Sequence, residues 1–343
     1  MIIVLLTVDV SDEEKNIEDY NQIVKDVRRT LWNWCLSTDD RQHKQAALCR
    51  ILVKAFAQNR GNKHYFQGCN EVASILMFAL GEVQAVQALD WLMNHTLTRW
   101  FELSLPPLVE LMAHVMPLLH IVDEETYKHI NECIMNYGQQ PGFALSWLMT
   151  WFSHNSEDVQ ALYKIFDVLF DTHDGDAVAI IYIATQTIVM CKTDVLKLSD
   201  DSVHEYFTKL LPPIVTRERA KKMLQAASGE AEPNEYIQPV AKGNVKVLIV
   251  EDMIEGAKKL MKDTDWDELK RHKDELNKED EEAASHRVYR ATSKHVDQSQ
   301  LDASKEDKIV SNQQCIDHKM AVVVGGILFA SVAVCAWFTS VSQ

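Results

Sequence analysis

Two short segments combine polar, hydrogen-bonding side chains with apolar helical surroundings. In the first, Asp26 and Arg29 are three positions apart, a spacing that lets an acid and a base pair on one helix face. In the second, Gln67 precedes Gly68 where a loop is predicted to meet a helix, and glycine lets a chain turn sharply. A guanidinium is a permanently charged donor, and a carboxamide both donates and accepts. Each pattern alone is also typical of an ordinary surface ion pair or loop.

Motifs for self-contained catalysis and nucleotide binding do not occur in the sequence. It contains no HExxH, GxSxG, EF-hand, GxGxxG or GxxxxGK[ST] pattern. The seven cysteines lack zinc-ligand spacing and fit reduced, buried thiols. We therefore predict no cofactor and no metal site. A net charge of −15, from 35 basic and 50 acidic residues, argues against a nucleic-acid partner because such partners select clustered basic residues.

Composition and pattern predict an all-α fold. Only 11 glycines and 8 prolines occur in 343 residues, too few for the frequent turns of an all-β fold. Apolar periodicity predicts about ten helices in the first 228 residues. The clearest predicted segments are 42–58, 70–80, 83–100, 143–152, 162–170 and 176–190, with breaks at Pro106-Pro107, Pro141 and Pro212-Pro213. Residues 143–152 are almost all apolar and predict a central, buried helix.

The C-terminal part predicts a tether and a membrane helix. Residues 320–339 carry no charge and, as a helix, would span about 30 Å, the thickness of a bilayer core. Because only four residues follow, we expect a tail anchor that leaves the preceding chain in the cytosol. Residues 262–319 are polar and poor in aromatics, which is typical of a solvated linker. A buried core helix at 320–339 is the alternative.

Taken together, the two polar segments resemble motifs of the TBC domain, the helical GTPase-activating module for Rab-family GTPases. The first resembles the family's IxxDxxR motif and the second its YxQG motif. The matching residues are Ile23, Asp26, Arg29, Tyr65, Gln67, Gly68 and Asn70. Segments 143–152 and 164–170 resemble later family segments, so the resemblance covers about residues 15–213.

The resemblance implies a division of roles. Arg29 would be an arginine finger, and Gln67 a second finger that orients water in place of the GTPase's own glutamine. Asp26 would position the arginine segment, while Tyr65 and Asn70, with the adjoining glycine, would shape the glutamine loop. The partner would be a GTP-bound Rab, and GTP and Mg²⁺ would belong to that partner. A chain without a phosphate loop of its own agrees with this arrangement.

Two further points concern register and length. Arg28 adjoins the motif arginine but is out of register, so we interpret it as a helper or surface residue. The family's Arg/Lys-x-x-x-Trp segment is missing from the 22 residues before Ile23. The predicted organisation is therefore an N-terminally shortened TBC domain over 1–228, a helical extension over 229–261, a tether over 262–319 and a membrane helix over 320–339.

The resulting hypothesis is a GTPase activator on the endoplasmic reticulum or Golgi membrane that acts in vesicle transport. One alternative is a catalytically silent, membrane-tethered scaffold that binds a Rab without changing its hydrolysis rate. Another is a helical adaptor unrelated to GTPases, which would make both motifs accidental.

Overall fold

The computed structural model describes residues 10–35, 37–103, 105–134, 140–171, 177–227 and 246–279. Described residues up to Asp274 belong to one compact unit. The predictions for the first part of the helical extension (229–245), for most of the tether and for the membrane helix at 320–339 lie outside the described residues.

Helices make up nearly all of the regular structure. They are α1 (Asp12–Lys15), α2 (Tyr20–Val27), α3 (Thr38–Gln58), α4 (Cys69–Trp91), α5 (Thr98–Leu103), α6 (Leu105–Met112), α7 (Val115–Val122), α8 (Glu124–Ile134), α9 (Leu145–Thr150), α10 (Val159–Asp171), α11 (Ala179–Met190), α12 (Lys192–Val195), α13 (Asp200–Lys209), α14 (Arg217–Ala227) and α15 (Val250–Asp263). A further helix covers residues 266–279. The strands present in the described ranges, β1 (Ile214–Val215) and β2 (Leu248–Ile249), form one short parallel pair. The helical class is therefore confirmed.

Capping residues and glycines set the ends of the two longest helices. Ser37 caps α3, because its hydroxyl accepts the Asp40 backbone N–H at 3.1 Å, as expected of serine at this position. In α4 the break predicted between segments 70–80 and 83–100 is real, since Gly81 has φ +77° and interrupts the helical backbone. Glycine adopts such a conformation without the penalty that a Cβ atom brings. The helices α3 and α4 pack against each other.

Two of the predicted helices differ from the structure. The segment 83–100 is not one helix, because a π-helical turn over Leu92–Thr96 separates α4 from α5. The segment 143–152 is central and buried, as predicted, but its helical core is only Leu145–Thr150. Trp151 and Phe152 adopt left-handed backbone with φ of +51° and +64°, and this change of conformation ends α9. The apolar periodicity of the sequence does not predict these two interruptions, because they depend on tertiary packing.

An aromatic cluster forms the centre of the unit around Trp147, which is fully buried. Its ring lies 5.7 Å from Phe143, 5.5 Å from Phe152 and 5.5 Å from Phe207, measured between centroids. Helix α11 is buried along most of its length and packs against α7, α9 and α15. Buried aromatic rings contribute the largest apolar areas in a core, so this cluster fixes where α9 lies.

Buried thiols and apolar helices are also part of this core. Cys49 and Cys191 are buried, and burial raises the pKa of each thiol to about 11.

The stretches Cys69–Thr96 and Leu105–Val122 are long and apolar enough to cross a membrane, yet 50% and 56% of their apolar windows are buried inside the protein. Such burial is typical of core helices, so these stretches are weak membrane candidates.

Replacing Trp147 by alanine should lower the free energy of unfolding by about 3–5 kcal/mol, because it removes a large buried ring and leaves a cavity. Urea unfolding followed by circular dichroism measures the change. Trp91→Ala is the matched control, since Trp91 is 41% exposed and its loss should cost much less. Equal effects of the two substitutions would contradict the central role of Trp147.

Candidate functional site

Arg29 lies in the turn that follows α2 and is held by the last turn of that helix. Ile23 and Val27 are fully buried and fix α2 against the core. Arg29 Nη2 lies 2.6 Å from Asp26 Oδ1, so the ion pair expected from the spacing is present. The Arg29 side chain is 33% exposed, whereas the Asp26 side chain is only 3% exposed. The pair therefore joins a buried carboxylate to a guanidinium that still reaches solvent.

The Asp26 carboxylate lies within hydrogen-bond distance of three other side chains of the site. Its Oδ2 atom accepts a hydrogen bond from Gln22 Nε2 at 2.9 Å, and the Tyr65 hydroxyl lies 3.1 Å from the same atom. A buried carboxylate is costly unless donors reach it. Here donors from its own helix, from Arg29 and from the Tyr65 loop all converge on it, so Asp26 joins the two motif segments.

The loop that carries the second motif is fastened at its backbone. The Tyr65 N–H donates to Asp19 Oδ2 at 2.8 Å, and the His64 N–H donates to the Phe101 carbonyl at 2.7 Å. Asp19 occupies the N-cap position of α2, yet its side chain caps no N–H of that helix. It binds the Tyr65 loop instead, so both ends of α2 hold this loop.

Gly68 fits its position for two independent reasons. Its φ of +111° lies in the left-handed region, which side chains with a Cβ atom rarely adopt. A Cβ atom there would also lie 3.1 Å from Met149 Cγ and 3.3 Å from Thr150 Cγ2. The loop thus approaches α9 closely, and Gly68 is the N-cap of α4 at this contact.

Gln67 lies between these fixed points and is half-buried. Within the part of the chain that the structure describes, its carboxamide has no hydrogen-bond partner. The preceding Phe66 ring packs near Phe101 and Trp100, with centroid distances of 5.1 and 6.4 Å. The backbone around Gln67 is therefore anchored, while its amide group remains available to another molecule.

Asn70 connects the Gln67 loop to the arginine segment. Its Oδ1 atom accepts the Gly68 N–H at 3.1 Å, and its Nδ2 atom donates to Thr30 Oγ1 at 2.8 Å. The Thr30 hydroxyl in turn donates to the Asp26 carbonyl at 2.9 Å. Tyr65 Oη lies 3.0 Å from Asn70 Oδ1, so its single proton can bond either Asn70 or the Asp26 carboxylate at one time.

The structure also reveals positioning residues that the sequence analysis missed. Gln45 on α3 donates from Nε2 to the carbonyls of Arg28 and Thr30, at 3.1 and 2.9 Å, and so fixes the backbone on both sides of Arg29. Asp19 has the equivalent effect on the Tyr65 loop. A weak signal existed for Asp19, which precedes Asp26 by seven positions, two helical turns on one face. Nothing in the local sequence distinguished Gln45.

The comparison with protein families decides the identity of this fold. The Rab-GTPase-TBC domain matches residues 7–196, more than half of the chain. The chain belongs to the Rab-GTPase-TBC domain family. The expectation drawn from the two motifs is therefore confirmed at the level of the family.

Curated relatives of this TBC domain are distant in sequence. The GTPase-activating protein gyp10 of Schizosaccharomyces pombe is 23% identical over 205 residues, which are 58% of this chain and 53% of gyp10. TBC1 domain family member 20 of Bos taurus is 26% identical over 197 residues, and the Homo sapiens protein is 25% identical over 197; each match covers 56% of this chain and 47% of the relative. The chain thus spans about half the length of these relatives.

The described residues of the TBC domain offer no group of three or more His, Cys, Asp or Glu side chains that could hold a metal ion. The polar residues of the site instead bond one another. Their donors and acceptors come from α2, α3, the Tyr65 loop and α4. The site is therefore a hydrogen-bond network that joins these elements and not a set of metal ligands.

Charge in this network affects two neighbouring groups. Burial raises the pKa of Glu71 to about 7, and the negative charge of Asp26 adds to the increase. Burial, again together with Asp26, raises the pKa of the Tyr65 phenol well above its ordinary range. Tyr65 therefore stays protonated and able to donate, while Glu71 titrates near neutral pH at the first turn of α4.

Glu71→Gln should stabilise the TBC domain at about pH 8, because the parent must hold an ionised carboxylate there that water would solvate better. The folded parent keeps its proton between the ordinary pKa of 4.5 and about 7, while the unfolded chain loses it. The parent therefore loses stability as the pH rises through this window, and the advantage of the glutamine variant should shrink below it. Urea unfolding across pH measures the difference.

Glu82→Gln is a control of opposite sign. Glu82 accepts two hydrogen bonds from Arg50, each 2.7 Å long, and they lower the pKa of the Glu82 carboxyl. This substitution should destabilise the fold at about pH 8, because a carboxyl group whose pKa is lowered by folding contributes stability at every pH above its unfolded pKa. A Glu71 variant that is no more stable than the parent at that pH would refute the assignment.

Proposed function

We propose that this chain accelerates GTP hydrolysis by a Rab-family GTPase, with Arg29 and Gln67 entering the partner's active site. The observation that carries the proposal is the hydrogen-bond network that ties the Arg29 segment to the loop bearing Gln67. Membership of the Rab-GTPase-TBC domain family supports it. So does the name of the relative gyp10, a GTPase-activating protein.

The arginine role follows from the charge that develops during phosphoryl transfer. Negative charge spreads over the oxygens of the transferring group, and a guanidinium supplied in trans stabilises it by about 10³–10⁵ in rate, or roughly 4–7 kcal/mol of barrier. Arg29 suits this task because 33% of its side chain is exposed while Asp26 holds one end. A guanidinium has five N–H donors, so it can keep Asp26 and still bind phosphoryl oxygens.

The glutamine role depends on a carboxamide that forms no hydrogen bond with the described residues of the protein. Gln67 Nε2 can donate to a phosphoryl oxygen, while Oε1 accepts a hydrogen bond from the attacking water. Orienting that water is the function that a glutamine serves in GTP hydrolysis. The fixed backbone at Tyr65 and Gly68 supports this role, since a catalytic group must be held close to its productive geometry.

The supporting residues would act through these two side chains. In our proposal Asp26 orients Arg29, while Tyr65, Gly68 and Asn70 hold the Gln67 loop against α2 and α9. The nucleotide and its Mg²⁺ would be bound by the partner GTPase, and this chain would need no cofactor of its own.

We further propose that residues 320–339 insert into the endoplasmic reticulum or Golgi membrane and that the TBC domain, over 1–228, faces the cytosol. The uncharged sequence of this segment supports the proposal. Residues 229–261 would extend the domain, and the polar residues 262–319 would link it to the membrane. Attachment would keep the activator where a Rab of early vesicle traffic is bound.

Arg29→Ala should slow the stimulated hydrolysis of GTP by about 10³–10⁵-fold, because the transition-state charge loses its guanidinium. Gln67→Ala should slow it by about 10²–10³-fold, the usual loss for one positioned donor. Single-turnover hydrolysis with a panel of purified, GTP-loaded Rab GTPases and the full-length chain measures both effects.

Arg28→Ala is the matched control for Arg29, since it removes an exposed arginine one position away and should leave the rate near that of the parent. An Arg29→Ala chain as active as its parent would refute the mechanism. If the parent binds a GTP-loaded Rab without accelerating hydrolysis, the alternative of a silent scaffold is correct.

Leu328→Arg should release the full-length chain from membranes, because an arginine at the centre of a membrane helix costs about 2.5–3.5 kcal/mol on insertion. Leu328→Ile is the control and should remain bound. Carbonate extraction of membranes from cells that express each variant measures the bound fraction. Retention of the arginine variant in the extracted membranes would contradict the proposed anchor.

A further inference from the structure

Trp32 is an exposed aromatic side chain close to Arg29. It leaves 60% of its surface in solvent and follows Arg29 by three positions. Isolated exposed hydrophobic residues are common and usually need no explanation. Trp32 differs because neighbouring residues hold its ring in place.

The first observation is a cation–π contact with α3. The Arg41 guanidinium carbon lies 3.6 Å from the centroid of the Trp32 ring, well within the range of a favourable contact. Four positions after Arg41, and therefore on the same face of α3, Gln45 binds the carbonyls on both sides of Arg29. Successive turns of one helix thus fix the Arg29 backbone and the Trp32 ring relative to each other.

The second observation is the backbone of Leu31. Its φ is +72°, a left-handed conformation that is unfavourable for a bulky residue. The side chain of Leu31 is nevertheless buried, with 3% exposure, while the next side chain is turned to solvent. The fold therefore maintains an unfavourable backbone at the point where it exposes Trp32.

We propose that Trp32 is an anchor residue for the GTPase partner and contributes to partner affinity rather than to the chemical step. This inference rests on the proposed function. Three residues span at most about 11 Å, so Trp32 lies close enough to Arg29 for a partner whose nucleotide receives Arg29 to cover it as well. A tryptophan buried at the centre of an interface supplies much contact area, and here its pose is already set before binding.

The same geometry defines the surface that would cover Trp32. The exposed face of the ring needs an apolar contact, and the Arg41 guanidinium on its other side is a donor for carboxylates. We therefore expect the GTPase to present an apolar side chain with an acidic neighbour. Partners that lack this combination should be accelerated less efficiently, so Trp32 would also affect which Rab is chosen.

The test separates affinity from chemistry. With the full-length chain and a GTP-loaded Rab that the parent accelerates, Trp32→Ala should raise the half-saturating GTPase concentration by roughly 30-fold, the scale of an interface hot spot. The rate at saturation should stay within about twofold of the parent, because Arg29 and Gln67 are unchanged. Arg41→Gln should produce a smaller increase, and Trp32→Phe should retain most of the affinity.

Trp91→Ala is the matched control. Trp91 is also exposed, at 41%, and stacks on His95 with a centroid distance of 5.1 Å. It lies near the far end of α3, where Asn59 binds Asp90 at 2.7 Å, and the 18 positions from Arg41 to Asn59 correspond to about 27 Å of helix. Its substitution should leave the half-saturating concentration unchanged.

The outcomes distinguish this inference from the proposed function. If the parent is active and Trp32→Ala, shown to be folded by its unfolding curve, is not weakened, the inference is wrong and the proposed function stands. If Trp32→Ala weakens binding of the full-length chain to lipid vesicles but not to the Rab, Trp32 contacts a membrane instead. That result would also overturn the inference. If the parent accelerates no Rab, direct binding of GTP-loaded Rabs decides: weaker binding by Trp32→Ala supports the inference, and unchanged or absent binding refutes it.

Discussion

The site depends on the buried carboxylate of Asp26. Removing a charged group from water is expensive, and the cost is offset only if donors reach its oxygens. Arg29 bonds one oxygen at 2.6 Å, and Gln22 and Tyr65 reach the other. These donors come from α2, from the turn after it and from the loop before α4, so the carboxylate gains its third donor only when the loop is in place. One electrostatic requirement thereby couples two distant segments of the chain.

The aromatic core supports this coupling from the opposite side. Trp147 fixes α9, and α9 places Met149 and Thr150 against the loop, where a Cβ atom at Gly68 would be crowded at 3.1 and 3.3 Å. Gly68 is therefore a contact point between the core and the site. Packing sets the position of the Gln67 loop, and the polar network sets its orientation toward Arg29.

The sequence singled out most members of this hydrogen-bond network, but not the contacts between them. Asp26, Arg29, Tyr65, Gly68 and Asn70 were identified because they fall in two short motifs, and the structure joins them by hydrogen bonds and a close contact. Helical class and the break between segments 70–80 and 83–100 were also predictable, since composition and glycine conformation are local properties.

The missed features have non-local causes. Gln45 binds carbonyls 15 and 17 positions away, and Asp19 binds a backbone N–H 46 positions away, so local pattern does not reveal either contact. The π-helical turn and the left-handed residues at Trp151 and Phe152 likewise depend on tertiary packing. The shared hydroxyl of Tyr65 has a further consequence, because its proton can move from Asn70 to Asp26. Neither acceptor is left without a donor when the proton switches, because Asn70 Oδ1 still accepts the Gly68 N–H and the Asp26 carboxylate still accepts from Gln22 and Arg29.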